Sequence, residues 1–230
     1  MIKLVTFDLD GTLLDTAQDF FLAVNTLRDK YGIEEADFNE VRSRVSEGAI
    51  SLASYAMRID YKSDLKKELI EDGQLIANKD LELFRLELLD IYKKCSIKNT
   101  SIFEGIDLVL NSLNDREVCW GIVTNKPRFF AEDIVEATLG TYEPAFLICP
   151  DDTGKRKPSP EGLKLACKKT NIFPEDSIYI GDHSIDIIAG KAAGMKTVAA
   201  AYGYVPIGEN VKDWHANFVA SSPEEILNFI

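Results

Sequence analysis

Apolar residues follow two different spacings along the chain, and the change of spacing divides it. Residues 2–7 form a short β-rich apolar run, which predicts a strand buried on both faces. From residue 16 to about 95 the apolar residues recur at helical spacing. From about residue 97 onward, strand-length runs alternate with helical segments, a pattern typical of parallel sheets with crossover helices. We predict an α/β fold, with a doubly wound parallel-sheet domain of residues 1–15 and 96–230 and an inserted α-helical domain of residues 16–95.

The inserted region contains four predicted helices, and the second is interrupted near Gly48. The first ends before Gly32, since glycine is common just past a helix. The apolar positions that mark the four helices are Phe20, Val24, Leu27 and Tyr31; Val41, Val45, Leu52, Tyr55 and Ala56; Leu65, Leu69 and Ile76; and Leu81, Phe84, Leu88 and Ile91. These stripes are typical of helices that pack against one another.

The rest of the chain alternates between the two kinds of element. Predicted strands cover residues 118–124, 145–149, 177–181 and 196–201, and a short one covers 217–220. Predicted helices cover residues 105–114, 127–139, 160–170 and 184–193, and a last helix starts at Pro223.

Charge and composition narrow the class of protein. The formal net charge of −12 argues against a general nucleic-acid or anionic-membrane surface, because both need basic patches. The chain has no basic-then-apolar leader and no run long enough to span a membrane, so we expect a soluble, cytoplasmic protein. The 4 cysteines form no CxxC pair and there are only 2 histidines, which argues against a zinc site built from these residues.

The first predicted strand ends in two acids, Asp8 and Asp10, and Gly11 follows them. Glycine allows a sharp backbone turn at this point. Open α/β sheets bind ligands at the carboxyl ends of their strands. Two acids this close repel each other, so we expect a proton or a cation between them.

Three later strand ends carry polar residues in the same way. The strand at 118–124 ends in Thr124 and Asn125, which can donate hydrogen bonds to an anion. A basic loop presents Lys157. The strand at 177–181 is followed by Asp182, and Asp186 lies one helical turn further on. Oxygen ligands without histidine or cysteine suit Mg²⁺, and an aspartate can be a covalent nucleophile toward phosphorus.

These four sites, taken in order, resemble the haloacid dehalogenase (HAD) superfamily of phosphohydrolases, with its Rossmann-like core. The matching motifs are Asp8-Leu-Asp-Gly-Thr, Thr124-Asn125, Lys157-Pro158 and Gly181-Asp182-xxx-Asp186. The helical insertion between the first two motifs resembles the members that have a helical (C1-type) cap. The segment from Ala201 to Glu209 is similar to the phosphoglycolate phosphatase-like subfamily.

The resemblance implies roles for the matching residues. Asp8 attacks phosphorus and forms an aspartyl-phosphate, and Asp10 protonates the leaving alcohol and then activates water. Thr124 and Lys157 hold the phosphoryl oxygens, and Asn125 belongs to the same phosphate-binding group.

The resemblance also implies a metal site. Asp8, Asp182 and the backbone carbonyl of Asp10 bind Mg²⁺. Asp186 supports the water shell of the metal or orients Lys157.

The expected substrate is a small anionic phosphomonoester, with 2-phosphoglycolate as the leading candidate and an amino-sugar phosphate such as N-acetylmuramic acid 6-phosphate as the alternative. The inserted domain is expected to act as a lid, with Glu47 and Gly48 in its substrate loop. Arg42 or Arg44 can meet a substrate carboxylate.

Other members of the superfamily remain as alternatives. A dehalogenase lacks the second acid that Asp10 provides, and a sugar-phosphate mutase carries a cap-hinge histidine that is missing here. A phosphonate hydrolase and a non-enzymatic regulator on the same fold stay open. The sequence is compatible with a monomer or a homodimer.

Overall fold

The computed structural model describes residues 1–59 and 79–230. These residues form two compact units: Met1–Asp15 with Thr100–Ile230, and Thr16–Asn99. The predicted helix marked by Leu65, Leu69 and Ile76 lies outside the described residues.

The first unit is built on a six-stranded parallel sheet with the strand order β5-β4-β1-β6-β7-β8. The predicted doubly wound parallel sheet is therefore confirmed. Its strands are β1 (Leu4–Phe7), β4 (Cys119–Val123), β5 (Leu147–Ile148), β6 (Ser177–Gly181), β7 (Lys196–Ala200) and β8 (Phe218–Ala220). After β1 the chain forms β4 and β5 on one side of it, and then crosses over to form β6, β7 and β8 on the other side. The order thus reverses at β1, where doubly wound sheets form a ligand crevice.

The strand β1 lies in the middle of the sheet because its side chains are apolar or small on both faces. All four of its residues are buried, as the sequence predicts. In register, Phe7 lies beside Ile122 of β4 and Ile180 of β6. The three strands therefore end at the same level, and the polar residues that follow them meet at one edge.

The helices of this unit are α5 (Ile106–Asp115), α6 (Arg128–Leu139), α7 (Pro150–Thr153), α8 (Glu161–Thr170) and α9 (Ser184–Ala193). Four of them match predicted helices closely, but α7 lies in a stretch that the sequence pattern favours as a loop, and a second difference lies at the end of the chain. There the predicted helix is a 3₁₀ helix, Pro223–Phe229. The strand predicted over 145–149 is only β5, two residues long, since it lies at the edge of the sheet.

A second, two-stranded sheet pairs β2 (Leu14–Asp15) antiparallel with β3 (Ser101–Ile102). No sequence pattern predicts this sheet, because strands of two residues are too short to show a period. This ribbon joins the two segments of chain that enter and leave the helical unit.

The second unit is helical among its described residues, with α1 (Ala17–Lys30), α2 (Phe38–Arg42), α3 (Ala49–Met57) and α4 (Lys79–Cys95). Phe20 stacks on Tyr92 at 4.0 Å between ring centroids, which joins α1 to α4. The predicted stripe of α1 is buried as far as Leu27, but Tyr31 is 44% exposed because the helix has ended. No helix within residues 1–59 and 79–230 combines the length and the apolar character needed to cross a membrane.

Candidate active site

Asp8 lies at the carboxyl end of β1 and is buried, with 8% of its surface exposed. Its backbone N–H donates to the carbonyl of Ile180, which extends the sheet pairing by one residue. The turn that follows needs Gly11, whose φ is +80°. A Cβ at this position would lie 2.0 Å from Asp182 Oδ2, so glycine lets the turn and the tip of β6 approach each other.

Lys157 lies against Asp8 in the interior. Its ammonium nitrogen is 2.7 Å from Asp8 Oδ1 and 2.7 Å from Asp186 Oδ1. It also donates to the phenol oxygen of Tyr179 at 2.8 Å. A buried ammonium group is stable only when carboxylates and hydrogen-bond acceptors surround it, which these three residues achieve.

Burial and neighbouring charges shift the pKa of both groups. Burial raises the pKa of Asp8 to about 6; Lys157 opposes this shift and the charge of Asp186 adds to it. Burial alone would lower the pKa of Lys157, but the charges of Asp186 and Asp8 outweigh it and raise that pKa. Lys157 is therefore a permanent cation at the tip of β1.

Asp8, Asp182 and Asp186 form an acidic cluster in which one oxygen from each lies within 4.8 Å of the others. Asp8 Oδ1 is buried and forms an ion pair with Lys157 at 2.7 Å, but it accepts no hydrogen bond. Three oxygen donors, one of them lacking a hydrogen bond, fit a hard divalent cation such as Mg²⁺. The side chain of Asp10 does not belong to this cluster, and the metal contact of its backbone carbonyl stays a prediction.

Asp182 is held in place by the loop after β7. Its Oδ2 accepts a hydrogen bond of 2.9 Å from the backbone N–H of Tyr204, and its Oδ1 accepts a longer one of 3.4 Å from Thr12. A Cβ on Gly203 would lie 2.2 Å from the carbonyl oxygen of Gly11, so this loop passes directly over the turn after β1. No local pattern in the sequence indicates this contact.

Asp10 forms a partly buried ion pair with Lys126, a residue that the sequence patterns do not single out. The nitrogen of Lys126 lies 3.0 and 3.2 Å from the two carboxylate oxygens of Asp10. The sequence does offer one indication of its role: Lys126 directly follows Thr124 and Asn125, at a strand end where other polar residues converge.

Thr124 and Asn125 follow β4 as predicted, and both already have hydrogen-bond partners. The hydroxyl of Thr124 accepts from the backbone N–H of Lys126 at 3.1 Å. The amide of Asn125 donates to the carbonyl of Lys157 at 3.1 Å and accepts from its N–H at 2.7 Å. Asn125 thus joins the end of β4 to the loop of Lys157 and holds that loop in position.

The predicted substrate loop lies in the helical unit, where Gly48 adopts φ +92° and precedes α3. Glu47 accepts a hydrogen bond from Ser51, which lies in the first turn of that helix. Arg44 pairs with Glu40, and its guanidinium stacks on Tyr55 at 4.6 Å from the ring centroid. Arg44 is therefore engaged within its own unit.

Known proteins resemble this chain in both sequence and fold. A family model described as "Haloacid dehalogenase-like hydrolase" matches residues 5–200. An N-acetylmuramic acid 6-phosphate phosphatase from Pseudomonas putida is 35% identical over 229 residues, which cover 100% of this chain and 96% of that protein. A phosphoglycolate phosphatase from Xanthomonas campestris pv. campestris is 30% identical over 224 residues, which cover 97% of this chain and 94% of the relative.

The fold agrees with that of solved structures. A crystal structure of a predicted phosphoglycolate phosphatase from Haemophilus somnus has a TM-score of 0.81 at 24% identity and covers 99% of this chain and 97% of its own. The predicted family is confirmed: the chain belongs to the haloacid dehalogenase-like hydrolases, and its curated relatives place it among the phosphatases of that family.

Proposed function

We propose that this protein hydrolyses a small anionic phosphomonoester, with Asp8 as the nucleophile and Mg²⁺ as the cofactor. The observation that carries the proposal is the setting of Asp8. It lies at the tip of the central strand, beside a buried lysine and within an acidic cluster. A carboxylate placed beside a cation in a water-poor site can attack phosphorus.

In the first half of the reaction, Asp8 attacks the phosphorus atom and the bond to the leaving oxygen breaks. Asp10 gives a proton to that oxygen. Thr124 and Lys157 bind the equatorial phosphoryl oxygens, and Asn125 supports them by holding the loop of Lys157. In the second half, Asp10 takes a proton from water as the water attacks the aspartyl-phosphate, and phosphate leaves.

We assign the metal to Asp8, Asp182 and the backbone carbonyl of Asp10. When bound, Mg²⁺ neutralises the acidic cluster and the phosphoryl charge. Asp186 supports the site from behind, because it also holds the ammonium of Lys157 at 2.7 Å.

The leading substrate candidate is N-acetylmuramic acid 6-phosphate, because a relative named as a phosphatase of this compound is 35% identical over 229 residues. The second candidate is 2-phosphoglycolate, which the segment from Ala201 to Glu209 favours. A relative at 30% identity is named as a phosphoglycolate phosphatase. Both compounds carry a carboxylate in addition to the phosphate. We assign the choice between them to the helical unit, in particular to the loop of Glu47 and Gly48.

The test is phosphate release from both esters and from a panel of sugar and hydroxyacid phosphates with Mg²⁺. We expect kcat/KM for N-acetylmuramic acid 6-phosphate to exceed that for 2-phosphoglycolate by at least about tenfold, the ratio that 1.4 kcal/mol of differential binding produces. A ratio below one would reverse the order of the candidates. Absence of phosphate release from every ester would contradict the proposed activity.

A further inference from the structure

We propose that Lys126 is a positioning residue for Asp10 in the second half of the reaction, the transfer of the phosphoryl group from Asp8 to water. The inference rests on the proposed function, since it assigns a partner to the base of that step. It concerns a residue outside the four motifs that the sequence analysis identified.

The contact between the two side chains is partly buried, and the ammonium of Lys126 touches both carboxylate oxygens of Asp10. Lys126 Nζ lies 3.0 Å from Asp10 Oδ1 and 3.2 Å from Oδ2, and the two side chains are 5% and 14% exposed. The backbone N–H of Lys126 also donates to Thr124 Oγ1 at 3.1 Å, which fixes the turn from which the lysine extends. One ammonium that touches both oxygens restricts rotation of the carboxylate about its last bond.

Lys126 and Lys157 are the two buried lysines within the described ranges 1–59 and 79–230. Each forms an ion pair with a different acid of the first motif. Lys157 lies against Asp8, while Lys126 lies against Asp10. A carboxylate with little exposure to solvent is destabilised when it loses its cation. Without Lys126, Asp10 therefore loses the orientation that this turn imposes.

An ammonium pairs with the ionised carboxylate, the form in which Asp10 accepts a proton. In the second half-reaction the oxygen of water forms a bond to phosphorus, and the bond from phosphorus to the Asp8 oxygen breaks. The proton of water passes to Asp10, the electron pair of the broken bond returns to Asp8, and phosphate leaves. This step needs a correctly oriented base.

The first half-reaction can be made independent of Asp10 by the choice of substrate. p-Nitrophenolate leaves as a stable anion and requires no proton from the enzyme. With p-nitrophenyl phosphate, kcat/KM reports formation of the aspartyl-phosphate, while kcat is lowered when its hydrolysis is slow. A defect at Lys126 should therefore separate kcat from kcat/KM.

The experiment compares Lys126→Met with the wild type in rapid-quench kinetics with p-nitrophenyl phosphate and Mg²⁺. Methionine keeps the length of the stem and removes the charge. We expect kcat to fall about tenfold or more and KM to fall with it, so that kcat/KM changes little. The quenched variant should carry a phosphoryl group on Asp8, detected by mass. Lys126→Arg, which keeps a cation, should recover part of kcat and covers the case in which the methionine variant does not fold.

A matched control is Lys3→Met, which removes an exposed lysine–aspartate pair of 2.7 Å with Asp176 and should leave both constants unchanged. If kcat and kcat/KM of the Lys126 variants fall together without phosphoenzyme, the inference is overturned while the proposed function stands. If Asp10→Asn also lacks the kcat defect and the phosphoenzyme, the base assignment itself fails.

Discussion

Replacing Tyr179 by phenylalanine removes one oxygen atom from the centre of the site and leaves the ring in place. Tyr179 is fully buried in β6. Its hydroxyl accepts from Lys157 at 2.8 Å and donates toward the carbonyl of Val123 at 3.0 Å and Asp186 Oδ1 at 3.1 Å. Burial and the charge of Asp186 raise its pKa well above the usual range, so the phenol stays a donor at any working pH.

The expected cost follows from these contacts. A hydrogen bond to a charged group contributes about 1.5–3 kcal/mol, and a neutral one about 1. Lys157 keeps Asp8 and Asp186 as partners, and the phenyl ring fills the same space, so no cavity forms. We therefore expect Tyr179→Phe to lower the free energy of unfolding by about 2–3 kcal/mol. Because Lys157 loses the hydrogen bond to the Tyr179 hydroxyl, its ammonium is held less firmly where it binds phosphate. The inhibition constant for inorganic phosphate should therefore rise about tenfold.

Urea unfolding and inhibition by phosphate test this prediction together. The control is Tyr31→Phe, which removes a hydrogen bond to Glu87 from a tyrosine that is 44% exposed. That change should cost at most about 0.5 kcal/mol, as is usual for surface sites. If the Tyr179 variant were no less stable than the control and bound phosphate normally, the hydroxyl would not hold Lys157.

Asp8→Asn should abolish turnover of p-nitrophenyl phosphate while phosphate still binds, since the nucleophile is lost but Lys157 remains; turnover near the wild-type rate would exclude Asp8 as the nucleophile. EDTA should inactivate the enzyme and Mg²⁺ should restore it, and Asp182→Asn should lose the rise in Tm that Mg²⁺ produces; full activity without metal would contradict this. Without metal, the pKa of Asp8 is about 6, which lies above its value in the unfolded chain, so the metal-free protein loses stability as the pH rises toward 6. Below about pH 6, protons compete with Mg²⁺ for the Asp8 carboxylate. The Mg²⁺-induced rise in Tm should therefore be larger at about pH 7.5 than at about pH 5, and an equal rise would refute the shift. Gly48→Ala should cost about 1–2 kcal/mol, because φ +92° strains a residue with a Cβ although no atom lies near; unchanged stability in urea would show that the loop adapts.

Most of the fold could be predicted from the sequence, because local periodicity reports which faces are buried. The strand β6 and the helix α9 have the predicted bounds. The polar residues after β1, β4 and β6 could be expected to meet, because parallel strands bring their carboxyl ends to one edge. This reasoning identifies Asp8 and Asp182, the basic loop adds Lys157, and the three residues do lie together.

Only the tertiary structure revealed the partners of these residues. Tyr179 reads as a core position of a buried strand, and only the register of β6 against β1 and β4 shows that its hydroxyl reaches Lys157. Lys126 reads as a turn residue, and Asp10 lies 116 positions away in the chain. Such pairs depend on the twist and register of the sheet and on which side chain fills each turn. Those quantities are set by packing across the whole domain, which a local pattern of apolar and polar residues does not encode.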